Sequence, residues 1–250
     1  MVPIKLASSG AHLPGSYSDL VFVYDPSVTA AYPTIRAGLL EATGLINGAS
    51  SPELLAEYKT VQMDARMRLA ATGIADMASI AAWRRAFTRF GAKPTQHRSA
   101  AEALLRRLVK LGDIPPISSL VDTGNLISIR YALPVAVIDT SSIDLPINVR
   151  FASGSESFIE LGSDEPAHPE PGEVIFIDQA DHVSARRWCW RQSAKSATRP
   201  TTTQALFVIE GHHDQASVEI DSALADLRDL LVAHQPTSEI KTWKLSPTTE

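Results

Sequence analysis

Apolar and polar positions change rhythm midway along the chain. Up to about residue 131 the apolar residues fall mostly at spacings of three and four; beyond Pro134 they come in short runs or alternate singly with polar ones. The first half therefore predicts helices after one short strand, Leu20 to Tyr24, which ends in a turn at Asp25-Pro26. A helix is expected over Thr34 to Thr43. Ser51-Pro52-Glu53 sets a capping serine, a first-turn proline and an early acid before the helix Leu54 to Ala71. Another helix is expected from Ala75 to Phe90, stopped by Gly91. Ser99-Ala100-Ala101-Glu102 has capping-box spacing, in which serine and glutamate satisfy each other's free backbone donors, and it opens a helix to Leu111. Ser118 to Tyr131 and Val218 to Ala233 complete the helical set. Strands are predicted at Pro134 to Ile138, Ile147 to Phe151, Ser157 to Leu161, Val174 to Asp178 and Ala205 to Glu210, each bounded by Gly, Pro, Asp or Ser. Helices gathered early and strands gathered late imply an α+β fold rather than a repeating βαβ sheet.

Composition narrows the class. At 250 residues with 44% hydrophobic and 20% charged content, the chain can bury one large core or two fused lobes. No apolar run approaches the roughly 20 residues of a membrane span, and the N-terminus lacks the residue order of a secretory signal, so the expected setting is cytoplasmic, without membrane partners. Cys189 is the lone cysteine, which excludes an internal disulfide or a multi-cysteine zinc site and leaves core filler or a thiol nucleophile. His212-His213-Asp214 has metal-binding residue types, but adjacent residues at a strand end point to opposite sides, so neither metal nor cofactor is expected. A net charge of −5 argues against a general nucleic-acid coat. The charges are unevenly placed, however. Between Trp83 and Lys110 eight cations, among them Arg84, Arg85, Arg98, Arg106 and Arg107, are opposed only by Glu102. This local basic face is either a solvated helical surface or the seat of an anionic partner.

Three stretches carry a family likeness. The first is Trp83-Arg84-Arg85-Ala86-Phe87 with Phe90-Gly91, Pro94, Arg98-Ser99 and Glu102 through Arg107. The second is Leu120 through Leu126 with Leu133-Pro134 and Asp139. The third joins Arg150-Phe151-Ala152, Gly172-Glu173-Val174, Trp188 through Ser193 and Thr202 through Glu210. In their order and spacing, over about residues 80 to 215, they resemble the B3/B4 editing domain of phenylalanyl-tRNA synthetase β chains, especially its free-standing form. The resemblance implies two intertwined sheet-and-helix halves with a pocket between them. Residues 1 to 75 would supply an N-terminal strand and additional helices of the same globule, 76 to 245 the B3/B4-like domain, and 246 to 250 a flexible tail. It further implies a hydrolase that deacylates mischarged aminoacyl-tRNA in trans, with aminoacylated tRNA rather than DNA as partner.

Two departures bear on the substrate. Where the synthetase domain follows a Gln-Pro pair with a pocket histidine, this chain reads Leu133-Pro134-Val135-Ala136. Where the synthetase has a glycine-rich loop, this chain has Arg187 through Ser193. A polar non-protein amino acid, such as canavanine on the arginine tRNA, is therefore expected ahead of tyrosine on the phenylalanine tRNA. Ester cleavage needs a positioned water, stabilisation of the oxyanion and a clamp on the amino group, without a full catalytic triad.

Several residues have the chemistry for those tasks, and each also has a structural reading. Glu210 matches a glutamate lining the synthetase's pocket and is the first catalytic candidate; otherwise it is a strand-end acid. Asp178 is the second, or a turn acid. Asn125 fits substrate contact or a loop anchor. Arg187, Arg191 and Gln192, interleaved with Trp188 and Trp190, read as a strand with arginines on one side, facing pocket or solvent. Ser193, Thr203 and Thr202 offer hydroxyls to substrate or merely favour a strand start. Arg84, Arg85, Arg98, Arg106 and Arg107 are candidates for the tRNA backbone, where contacts give affinity rather than sequence. A non-catalytic tRNA-binding module and a small-molecule hydrolase remain the alternatives.

Overall fold

The computed structural model describes residues 21–163 and 165–247. Leu20, at the start of the first predicted strand, and residues 248–250 of the expected tail lie outside them. The chain begins with β1 (Phe22–Tyr24), α1 (Pro26–Ala31), β2 (Arg36–Thr43) and α2 (Pro52–Ala71), followed by α3 (Ala78–Arg89), α4 (Ala100–Leu111) and α5 (Ser119–Tyr131). The strands β3 (Val135–Asp139), β4 (Ile147–Phe151), β5 (Phe158–Ile159), β6 (Pro166–Ala167), β7 (Val174–Ile177), β8 (Val183–Arg186), β9 (Arg191–Gln192) and β10 (Gln204–Gly211) lead to α6 (Ala216–His234) and β11 (Glu239–Leu245).

These elements make an α+β fold of interleaved halves. One sheet has the order β11-β2-β10-β3, the other β1-β4-β7-β8-β9, with β5 and β6 paired beside them. The chain enters the second sheet with β1, crosses to the first with β2, and returns to the second only at β4. Parallel pairing of Phe22 with Ile147 and Tyr24 with Val149 ties the two ends of that excursion together.

Strand β10 is the axis of the molecule, paired antiparallel to β2 on one side and β3 on the other. Its side chains alternate between two cores. Ala205, Phe207 and Ile209 enter a cluster with Tyr58 of α2, Leu105 of α4, Ile127 of α5 and Leu227 of α6. Leu206 and Val208 enter a second cluster with Phe22, Val149, Phe176, Trp83 and Trp188, between the two sheets. The alternation carries Glu210 to the inter-sheet side.

Local chemistry explains most boundaries. The Ser51 hydroxyl caps α2 by accepting from the Leu54 amide at 3.2 Å, and α4 ends at Gly112 in the left-handed region, with φ 88°. The turn expected at Asp25-Pro26 is a short helix, since the Asp25 carboxylate caps it at the Ser27 amide and Pro26 supplies its first-turn φ. The helix expected over Thr34 to Thr43 is strand β2. A strand buried on both faces shows no alternation, so its Ala and Leu run reads as helical until its neighbours are known. Gly38 marks the close approach: a Cβ there would lie 2.6 Å from Ile220 Cγ2 of α6. No helix among the described residues is long and apolar enough to cross a membrane.

Candidate active site

A cavity of about 90 Å³ opens between the sheets, floored by Val208 and Glu210 of β10 and walled by Pro134 to Ala136, Phe176 and Trp188. Ala100, the first residue of α4, also lines it, with Cys189, Trp190, Arg191 and Gln192. Glu210 is 2% exposed. Its Oε1 accepts from the Trp188 indole nitrogen at 2.9 Å and from the Tyr24 hydroxyl. No hydrogen bond from the described residues reaches Oε2. Burial pushes the Glu210 carboxyl up to about 7, and the two donors, which favour the ionised form, only partly offset this. The group thus sits near half-ionisation at neutral pH, where a carboxylate can both take and return a proton. The same burial, together with the Glu210 charge, raises the Tyr24 and Cys189 pKa values well above their ordinary range, so the Cys189 thiol lining this cavity stays protonated.

The expected strand through Arg187 to Gln192 is instead a tight turn. Arg187 and Trp188 adopt positive φ, 43° and 64°, and only Arg191 and Gln192 pair as β9. This geometry buries Trp188 in the inter-sheet core and leaves Trp190 half-buried at the cavity, so the simple alternation fails. Arg191 lies 5.1 Å over the Trp190 ring and 3.4 Å from Glu160 at the cavity rim. Gln192 closes the wall by donating to the Val137 and Ser196 carbonyls. Ser193 is buried behind it, accepting from the Lys195 amide. Arg187 faces away from the cavity, towards Glu173 at 3.4 Å.

Other candidates lie elsewhere. Asp178 is buried in the β7–β8 turn, where its carboxylate accepts the Ala180, His182 and Asp144 amides and lies 3.7 Å from the Lys195 ammonium. Asn125 is on α5 beside the Tyr58 hydroxyl. Thr203 is exposed, and its carbonyl accepts from the Leu45 amide. Thr202 instead is buried, donating to Asp139 at 2.6 Å. His212 and His213 turn to different neighbours: His212 packs against Trp83, Trp188 and Tyr32, while His213 reaches Glu219 at 2.9 Å. Among the described residues no group of three or more His, Cys, Asp or Glu could hold a metal ion.

The basic face is more structured than its sequence suggested. Glu102 does not complete a capping box with Ser99. The serine half forms at 3.3 Å, but the Glu102 carboxylate turns to Arg84 and Arg106, each at 2.8 Å, with Arg98 at 4.0 Å. Two charged hydrogen bonds, with a third cation close by, outcompete one backbone amide for a buried carboxylate. Arg85 and Arg107 are exposed, next to Arg84 and Arg106 in the chain.

The B3/4 domain family model matches residues 82–226, from α3 to the middle of α6. The chain belongs to the B3/4 domain family. The match spans both walls of the cavity and the basic helices. Among solved structures, it is similar to an N-terminal fragment of the phenylalanyl-tRNA synthetase β-subunit from Pyrococcus horikoshii, at 11% identity and a TM-score of 0.46. That similarity covers 95% of this chain and 54% of the fragment, so the chain spans about half the fragment's length. No curated protein matches.

Two residues that bond Glu210, Tyr24 and Trp188, were absent from the sequence-based candidates. Tyr24 is 186 positions from Glu210, in a strand whose partner β4 gives no local sign of the pairing. Trp188 stands in the sequence only as one of two tryptophans interleaved with arginines, and the positive φ that aims it at Glu210 has no local sign.

Proposed function

We propose that this chain is a trans-editing hydrolase, with the 3′ end of a mischarged aminoacyl-tRNA entering the cavity that ends on Glu210. The observation carrying this reading is a buried carboxyl lining the cavity, with a pKa of about 7 and one oxygen held by Tyr24 and Trp188. Membership of the B3/4 family supports tRNA as the partner. Ionised Glu210 accepts a proton from water as the water oxygen bonds to the ester carbonyl carbon. The Arg191 guanidinium at the rim neutralises the developing oxyanion. Collapse breaks the bond between that carbon and the ribose oxygen, Glu210 returns the proton to the ribose oxygen, and free amino acid and intact tRNA leave.

Gln192 and Ser193 keep the wall in place, while Arg84, Arg85, Arg98, Arg106 and Arg107 offer the face on which the tRNA backbone lies. Asp178, Asn125, Arg187 and Thr203 lie outside the cavity and take supporting roles. Val135 and Ala136 line the cavity, and Arg191 and Gln192 stand at its edge, which favours a polar side chain over the ring of tyrosine. Canavanyl-tRNA for arginine ranks first as substrate, ahead of tyrosyl-tRNA for phenylalanine.

The test is release of amino acid from a panel of correctly and wrongly charged tRNAs, with Glu210→Gln and Arg191→Ala alongside. One mischarged species is selectively deacylated, and Glu210→Gln slows this by about 100-fold or more, the scale of general-base catalysis. Tight tRNA binding with every ester retained would make the chain a binding module. Cleavage of simple aminoacyl esters regardless of the basic face would make it a small-molecule hydrolase.

A further inference from the structure

Glu102 is 1% exposed, yet three arginines converge on its Oε1: Arg84 from α3, Arg98 from the loop before α4, and Arg106 from α4 itself. One guanidinium would neutralise it, so the knot carries a surplus of two positive charges. Arg98 and Arg106 approach through Nε, and their terminal nitrogens have no hydrogen bond among the described residues. The arginine side chains remain 28%, 41% and 41% exposed. Arg84 and Arg106 therefore present planar donor forks ordered by the carboxylate beneath them, and Arg98 is drawn in beside them by charge, at 4.0 Å without a hydrogen bond. Such forks match the oxygens of a phosphate, and ordering them beforehand removes part of the entropy lost on binding.

Position supplies the second argument. Ala100, at the first turn of the same helix, lines the Glu210 cavity and donates its amide to the Cys189 carbonyl at 2.9 Å. Arg106 is six residues further along, about 9 Å by helical rise. A strand whose terminal nucleotide lies at the cavity mouth would carry its next phosphates past the knot.

We propose that Arg84, Arg98 and Arg106, gathered on Glu102, form a single preorganised site for a phosphodiester of the RNA strand entering the cavity, with Glu102 as its positioning residue. This rests on the proposed function in taking RNA as the occupant of the cavity mouth. It goes further in making the arrangement of the arginines, not their charge, the source of affinity.

The experiment titrates the full chain with an uncharged RNA hairpin ending in CCA, at several salt concentrations. Arg98→Gln and Arg106→Gln each weaken binding about tenfold and flatten the salt dependence by roughly one ion. Glu102→Gln also weakens binding about tenfold, although it makes the surface more positive. Arg98→Lys, which keeps the charge and loses the fork, weakens it several-fold and tests the site even if Glu102→Gln fails to fold. Unchanged or tighter binding by Glu102→Gln or by Arg98→Lys overturns the proposal, as does a wild-type chain that does not bind the hairpin. Deacylation of the mischarged tRNA panel by the wild-type chain is measured alongside. If wild type lacks that turnover, the hydrolase reading fails while the RNA titration still decides the phosphate site.

Discussion

Glu210 is the residue on which the chemistry turns, and its surroundings fix how it responds to pH. With no cation among the causes of its shift, desolvation holds the carboxyl near 7, while Trp188 and Tyr24 pull it down. If its ionised form is the base, the rate rises about tenfold per pH unit below 7 and levels off above it. Tyr24→Phe removes one donor from the carboxylate. The midpoint should then move upward by about one pH unit, equal to roughly 1.4 kcal/mol, with the plateau rate little changed. A pH profile of kcat/KM checks this; an unshifted midpoint would mean that Tyr24 does not tune the reacting group. Glu210 itself was readable as a polar end to an apolar strand. Its two donors were not, because one comes from a distant strand and the other depends on a left-handed turn that no local pattern announces.

At the scale of elements, legibility followed local signals. Helices α2 and α4 start at the Ser51 and Ser99 caps, and with α5 they lie within a few residues of their expected limits. Strand β2 did not, because helix α6 covers one of its faces and the inter-sheet core the other, leaving no polar alternation to read. Its contact with α6 depends on Gly38, where an added methyl would meet Leu224 Cδ1 at 2.7 Å and Leu224 Cγ at 2.8 Å as well as Ile220. Alanine suits a strand better than glycine, a gain of up to about 1 kcal/mol, but it would force α6 outward. Gly38→Ala is therefore expected to lower stability by about 1–3 kcal/mol in urea unfolding, the range for overpacking a filled core. A neutral or stabilising result would show that the α6 side chains yield freely.

Taken as a whole, the molecule buries both an acid and a base beside the indole of Trp188. Glu210 accepts its N–H, and His212, two residues on, packs edge-on to its ring at 4.9 Å. Burial and the neighbouring His213, Arg36 and Arg85 push the His212 imidazole down to about 3, so it stays neutral in the folded chain. The two groups affect stability in opposite directions. As pH falls from 6.5 towards 3, the unfolded chain protonates its histidine while folded His212 does not, so stability is lost. As pH falls from 7 towards 4.5, folded Glu210 takes up a proton before its unfolded counterpart does, so stability is gained. Between about pH 4.5 and 6.5 the two slopes, each about 1.4 kcal/mol per pH unit, cancel. Glu210→Gln removes one of them while keeping an acceptor for Tyr24 and Trp188. Relative to wild type, this variant should gain little at pH 4.5 and on the order of 3 kcal/mol by pH 8, while its own stability falls on acidification below 6.5. Urea unfolding of both proteins at pH 4.5, 5.5, 6.5 and 8 measures the difference, in which all other titrating groups drop out. A difference independent of pH would mean that Glu210 ionises as freely in the fold as in water. A growing one, in a variant that has lost hydrolysis, would show that the poised carboxylate is maintained at the expense of stability.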